Sequence, residues 1–122
     1  MRVWLVCGAS NAFLAVAAGA FGAHGLKTIL SADMLEVFQT GNRYHMYHSL
    51  ALLALGLFAN LRPSIWVDAS GYAMMAGIVL FSGSLYALAI TGVRPLGIIT
   101  PFGGLGFLAG WVLFAIAAWR TA

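Results

Sequence analysis

Charge is scarce in this chain. Six basic and three acidic residues leave 7% of its 122 positions charged, against roughly 25% in a soluble domain. At the same time 62% of the residues are hydrophobic. A water-soluble domain of this length buries only about two-thirds of the surface its unfolded chain exposes, too little to hide so much apolar area. A membrane supplies the missing solvent. Asp33 and Glu36 lie outside the long apolar runs and Asp68 stands at the start of one, and no Glu-x-x-His pair exists, which argues against a di-iron carboxylate centre. The one cysteine, Cys7, excludes an internal disulfide and a paired-cysteine metal site. It reads as a small buried apolar residue. The basic residues are spread along the chain, so the net charge of +3 marks no nucleic-acid surface. No nucleophile, base and acid stand in a recognisable order, and the glycines are followed by no Lys-Ser/Thr of a phosphate loop. The expectation is therefore a non-enzyme with no catalytic residue, no metal and no cofactor.

What is present are long intervals without charge. None occurs between Arg2 and Lys27, Arg43 and Arg62, Asp68 and Arg94, or Arg94 and Arg120. Each interval has room for the roughly 20 helical residues that a hydrocarbon core of about 30 Å requires. Inside lipid a helix satisfies its own backbone polar groups. These intervals predict an all-α membrane protein with a single domain over residues 1–122: a four-transmembrane-helix bundle with spans near Val3–Ala23, Tyr44–Leu61, Trp66–Thr91 and Pro101–Trp119. The first interval carries the Ala-x-Ala patterns of a signal peptide at Ala15 and Ala18, and is read as a retained span. An even number of spans puts both termini on one side. Arg2, Arg62 and Arg120 lie there, against Lys27, Arg43 and Arg94 opposite, so the positive-inside rule casts no vote. Termini in the cytoplasm and a bacterial inner membrane are the expectation.

The connection between the first two spans holds the main polar segment. Ser31 is an N-cap candidate, and Asp33 and Glu36 place negative charge at a helix N-terminus. Met34, Leu35 and Phe38 share a face, which predicts a short interfacial helix, ending at Gly41 or running on into the second span. Within the spans small residues form stripes. Gly8, Ala12, Ala15, Gly19 and Gly22 recur at alternating steps of four and three, and Gly106 and Gly110 make a G-x-x-x-G. Close approach through small residues is the main packing device between helices in lipid. The stripes read as helix-packing surfaces, with a homo-oligomer or docking onto a larger membrane complex as their sharper use.

Polar residues in the apolar runs need partners. His24 closes the first run, and His45 and His48 open the second with Tyr44 one turn before His48. All three histidines fall at one membrane boundary, where a hairpin would bring them near each other. Grouped imidazoles can bind a metal or haem, or they can simply be hydrogen-bonded at the lipid–water boundary. Ser82, Ser84 and Tyr86 lie mid-way along the third run and are expected to face the interior. Arg94 beside Pro95 reads as an interfacial anchor. Thr100 and Pro101 read as a helix start, with threonine as the cap.

Several of these segments together resemble the YgdD-type family of small membrane proteins. They are Gly19-Ala20-Phe21-Gly22-Ala23-His24-Gly25-Leu26; Gln39-Thr40-Gly41 leading to Tyr44 and His48; Leu80-Phe81-Ser82-Gly83-Ser84-Leu85-Tyr86; and Thr100-Pro101-Phe102-Gly103-Gly104 with Gly110-Trp111. The resemblance covers nearly the whole chain in order. It implies a four-helix inner-membrane protein and supplies no agreed reaction. Position 45 in that family is more often glutamine. The resemblance concentrates the ligand-binding expectation on His24, Tyr44, His48, Ser82, Ser84, Tyr86, Thr100 and Gly103. Function then divides three ways: an accessory subunit or binder of lipid or another small amphiphile, a histidine-ligated metal or haem protein, or an oligomeric channel or transporter for a small solute. The first is the expectation, with membrane lipid as partner.

Overall fold

The structure, a computed structural model, describes residues 2–120. Every regular element among them is helical. Four long helices run in order: α1 over Val3–Leu26, α2 over Ala32–Leu61, α3 over Ile65–Thr91 and α4 over Thr100–Arg120. A 3-10 turn over Arg94–Ile98 leads into the last.

The expected four-span bundle with its separate interfacial helix requires correction. Only three segments of the described chain are long and apolar enough to cross a membrane: Val3–Leu26, Ile65–Thr91 and Arg94–Arg120. The α2 helix is not among them. An interval free of formal charge is not thereby apolar, and Tyr44, His45, Tyr47, His48, Ser49 and Asn60 lower its hydropathy. Three of those residues are turned inward instead: His45, His48 and Ser49 are buried. The interfacial helix does not exist as an element. Ser31 does cap a helix, its Oγ accepting from the Met34 N–H at 3.2 Å, but that helix continues unbroken for 30 residues to Leu61. No proline interrupts it. Gly41 does not end it, because the side there is packed against α3: a Cβ would lie 3.1 Å from Leu85 Cβ and 3.3 Å from the Ser82 carbonyl oxygen.

The stops that do operate are proline and left-handed glycine. Pro63 follows Arg62, and the residue before proline is pushed out of the helical region. Ser64 then restarts the chain, its Oγ accepting from the Val67 N–H at 3.3 Å. Gly92, at φ 72°, closes α3 in the conformation that glycine takes without a Cβ penalty. Two stretches are wound wider than an α-helix: Gly22–Leu26 ends α1, and Ile78–Ser82 lies inside α3. In the second, the Gly83 N–H reaches back five residues to the Ile78 carbonyl. Such π turns shift the register of everything beyond them and recur at functional sites.

The helices pack in chain order, α1 on α2, α2 on α3 and α3 on α4. The main core joins Trp4 of α1 to Leu52 and Leu55 of α2, Val67, Met74 and Ile78 of α3, and Phe107 and Ala117 of α4. At one end the Trp4 Nε1–H donates to Asp68 Oδ1 at 2.9 Å, and the Arg120 guanidinium lies 5.4 Å from the Trp66 ring centre. Both ends of the described chain therefore meet at the same end of the molecule. The small residues of α1 and α4 sit at helix contacts within the chain. A Cβ on Gly8 would lie 2.8 Å from the Leu53 nitrogen, and one on Gly106 would lie 3.1 Å from the Ala73 carbonyl oxygen. Gly110 likewise lies against Met74, Gly19 against Asn42 and Gly22 against Phe38. On the same helix as Gly8, Ala15 is buried and Ala12 half-buried.

Candidate functional site

Tracing each polar side chain to its partner separates the sequence-predicted residues into different places. His24 stands alone on the surface, in the π turn that ends α1. The hairpin does not bring it to the other histidines. The Ser84 and Thr100 hydroxyls meet at 2.6 Å, tying α3 to the start of α4. Thr100 is thus bonded to the neighbouring helix by the side chain that was expected to cap its own. Gly103 lies where α4 crosses the π turn of α3, and a Cβ there would overlap the backbone of Leu80 and Phe81.

Tyr44 and His48 share one groove. The His48 ring is stacked on Phe107, centroids 3.5 Å apart and planes 9° from parallel. Its Nδ1 lies 2.8 Å from the Tyr44 carbonyl oxygen, which can only accept, so Nδ1 carries the proton. Nε2 accepts from the Trp111 Nε1–H at 3.1 Å. Both ring nitrogens are used. Tyr44, His48, Phe81, Phe107 and Trp111 line an open groove of about 400 Å³ between α2, α3 and α4. Its surface is almost wholly aromatic and aliphatic.

The richer constellation lies on the other face of α2 and centres on His45. Its Nδ1 is 2.9 Å from the Tyr86 hydroxyl and its Nε2 is 3.0 Å from Asn11 Oδ1. The directions of these bonds follow from the donors. The Asn11 amide nitrogen donates to the Cys7 carbonyl at 2.9 Å, which fixes which end of that amide is oxygen. An amide oxygen accepts only, so His45 Nε2 carries the proton and Nδ1 accepts from the Tyr86 O–H. Tyr86 in turn accepts from the Asn42 amide at 3.2 Å, and Asn42 also donates to the Ala15 carbonyl at 2.7 Å. One directed chain, Asn42 to Tyr86 to His45 to Asn11, thus joins α1, α2 and α3. Sequence reasoning misses the two asparagines, and it groups His45 with the other histidines without placing it in the ligand-binding set. A signal existed for Asn11: it is an amide in the middle of a run with no other strongly polar side chain, and such a group must find partners when buried.

Beside this chain is Ser82, fully buried at 0% exposure, whose hydroxyl has no hydrogen-bond partner. It is the last residue of the π turn in α3. Ser82, Asn11, His45 and Tyr86 line one groove of about 460 Å³ together with Leu14, Ala18, Ile78, Val79 and Gly83. The groove lies between α1 and α3 with α2 as its floor. Its accessible surface is nearly as apolar as that of the first groove, with the uncharged side chains of Asn11, His45, Tyr86 and Ser82 at its base. Among the described residues no three histidine, cysteine, aspartate or glutamate side chains gather as a metal site. Because His45 and His48 each have both nitrogens engaged, neither presents a lone pair to an iron or other metal without breaking a bond.

Comparison with known proteins adds the family. Residues 18–104 match a family model described as a protein of unknown function, DUF423. The chain belongs to the DUF423 family. Curated relatives carry the name UPF0382 membrane protein. YwdK of Bacillus subtilis (strain 168) is 48% identical over 119 residues, 97% of each chain. SSP2132 of Staphylococcus saprophyticus is 48% identical over 120 residues, 98% of this chain and 99% of its own. SAB0533 of Staphylococcus aureus (strain bovine RF122 / ET3-1) is 45% identical over 122 residues, 100% of this chain and 99% of its own. No solved structure matches. This DUF423 chain is a membrane protein, by its relatives' names and its three apolar helices. The matched region spans His24, Asn42, His45, Ser82, Tyr86 and Gly103, and does not reach Asn11.

Proposed function

We propose that this DUF423 protein, of the YgdD type, is a non-enzymatic membrane protein that holds a small amphiphile in the groove between α1 and α3. The observation that carries this reading is the unpartnered Ser82 hydroxyl, set with Asn11, His45 and Tyr86 at the base of a groove walled by Leu14, Ala18, Ile78 and Val79. Polar groups in an apolar helix are expensive unless they pair or face a ligand or cavity, and Ser82 does not pair. The volume is within the usual range of small-molecule sites. The described residues that line it offer hydrogen bonds and apolar contact, and binding is the chemistry we assign to them. Membrane lipid is the natural source of such an occupant. The small-residue seams are taken up by helix contacts within the chain, which favours lipid over a second copy as the partner. We place the protein in the bacterial inner membrane, with the end that carries Arg2 and Arg120 in the cytoplasm.

Native mass spectrometry of the protein extracted in mild detergent tests the reading. Val79 is 63% exposed and lines the groove, so Val79→Trp fills the groove without entering the core. Val16→Trp, at a position equally exposed and outside the groove, is the control. The proposal expects a retained mass on the wild type and on Val16→Trp that Val79→Trp loses. A bare protein, or a mass that all three retain, contradicts it.

A further inference from the structure

The hydrogen-bond bookkeeping of the groove determines what kind of head group fits it. Asn42 spends both amide hydrogens, on the Ala15 carbonyl and on Tyr86. Tyr86 spends its hydroxyl hydrogen on His45 Nδ1, and His45 spends its ring hydrogen on Asn11 Oδ1. Asn11 spends its two on the Cys7 carbonyl and on Met75 Sδ, at 2.9 and 3.5 Å. Every side-chain donor of the directed chain is committed. One side-chain donor among the groove's described residues is left: the Ser82 hydroxyl. A serine in a helix ordinarily returns its hydroxyl to a carbonyl one turn back. Here the π turn sends the Gly83 N–H to the Ile78 carbonyl, and Ser82 makes no such bond.

No lysine, arginine, aspartate or glutamate lines the groove. An anionic head would enter it with one neutral donor and no countercharge, which is costly in a low-dielectric site. A cationic head would meet no carboxylate. A plain hydrocarbon would leave the hydroxyl unpaired. We infer that the occupant is a long-chain compound with an uncharged, hydrogen-bond-accepting oxygen head (a ketone, ester or alcohol), and that Ser82 donates to that oxygen. This rests on the proposed groove reading and names the class of ligand within it.

The inference makes an unusual pair of demands on one residue. Removing a buried hydroxyl that has no partner relieves a desolvation cost, so empty Ser82→Ala protein should unfold no lower in temperature than the wild type. Ser84→Ala is the contrast, because the Ser84 hydroxyl is bonded to Thr100 at 2.6 Å and to the Phe81 carbonyl at 3.0 Å, and its loss should lower the unfolding temperature. The probes are three chains of equal length: 2-heptadecanone, heptadecanoate and heptadecane. They are offered at about pH 8, where a carboxylate is ionised. Delipidated protein in detergent is followed by thermal unfolding and native mass spectrometry.

The ketone should bind the wild type and raise its unfolding temperature, and Ser82→Ala should weaken that binding about five- to tenfold, the loss of one hydrogen bond. The carboxylate and the alkane should bind less well and be indifferent to the substitution. Equal or tighter binding of the carboxylate, or ketone binding unchanged in Ser82→Ala, overturns the head-group assignment. If no probe binds while the co-purified mass still depends on Val79, the assignment fails and the groove reading stands. If that mass is also absent or independent of Val79, both fail.

Discussion

His45 and His48 lie within one turn of α2, and each is held as a neutral ring by partners that fix its tautomer. His45 works as a relay of direction, accepting from Tyr86 and donating to Asn11. A glutamine side chain offers the same two functions, a carbonyl oxygen and an N–H, at similar reach. Leucine offers neither, and would strand the Asn11 oxygen and the Tyr86 hydroxyl in a buried site. His45→Gln should therefore cost less than about 1 kcal/mol and His45→Leu about 2–4 kcal/mol. Unfolding by denaturing detergent, read on both variants and the wild type, measures the difference. Equal losses would mean that ring packing rather than hydrogen bonding matters at this position. The sequence disclosed much of this residue-scale picture and concealed its connectivity. Ser82, Ser84, Tyr86 and His48 stand out as polar side chains in apolar runs. That Asn11 and Asn42 complete the network depends on which helix faces which, a long-range fact that no local spacing carries.

Among the elements, α3 departs furthest from regularity, and α4 is fitted to the departure. Gly103 lies against the backbone of Leu80 and Phe81 inside the π turn, whereas a Cβ on Gly104 would meet only Phe81 Cδ2, at 3.9 Å. A backbone cannot step aside as a side chain does. Gly103→Ala should accordingly cost about 1–3 kcal/mol from overpacking, while Gly104→Ala, in ordinary contact, should be neutral or slightly stabilising through helix propensity. Comparing the two alanine variants in the same unfolding assay checks this, and similar effects at both sites would contradict the close crossing. Charge-free intervals located α1, α3 and α4 and only the second half of α2, whose first half carries Asp33, Glu36 and Arg43. They did not distinguish α2 from the three apolar helices, since histidine, tyrosine and asparagine are polar without formal charge. They also did not show that the segment after Ser31 runs through Gly41: a glycine inside a helix and a glycine ending one differ only in what packs against them. The π turns left no trace in the pattern of apolar residues.

At the scale of the whole molecule, α2 is a polar-sided helix with a groove on each flank. One groove, beside His48, is lined by aromatic rings that already satisfy one another. The other, beside His45, holds the unpartnered hydroxyl. The asymmetry follows from packing in chain order: α1 meets the start of α3 through Trp4 and Asp68, while further along, α1 and α3 flank the groove whose floor α2 supplies. The groove between α1 and α3 is proposed as a binding site and not a packing gap. A structure of the protein determined in lipid nanodiscs tests it most directly. Elongated density is expected between α1 and α3, with a polar end within hydrogen-bond distance of Ser82 Oγ. A groove closed by the Leu14 and Val79 side chains, with the Ser82 hydroxyl bonded to the Ile78 carbonyl, would contradict it.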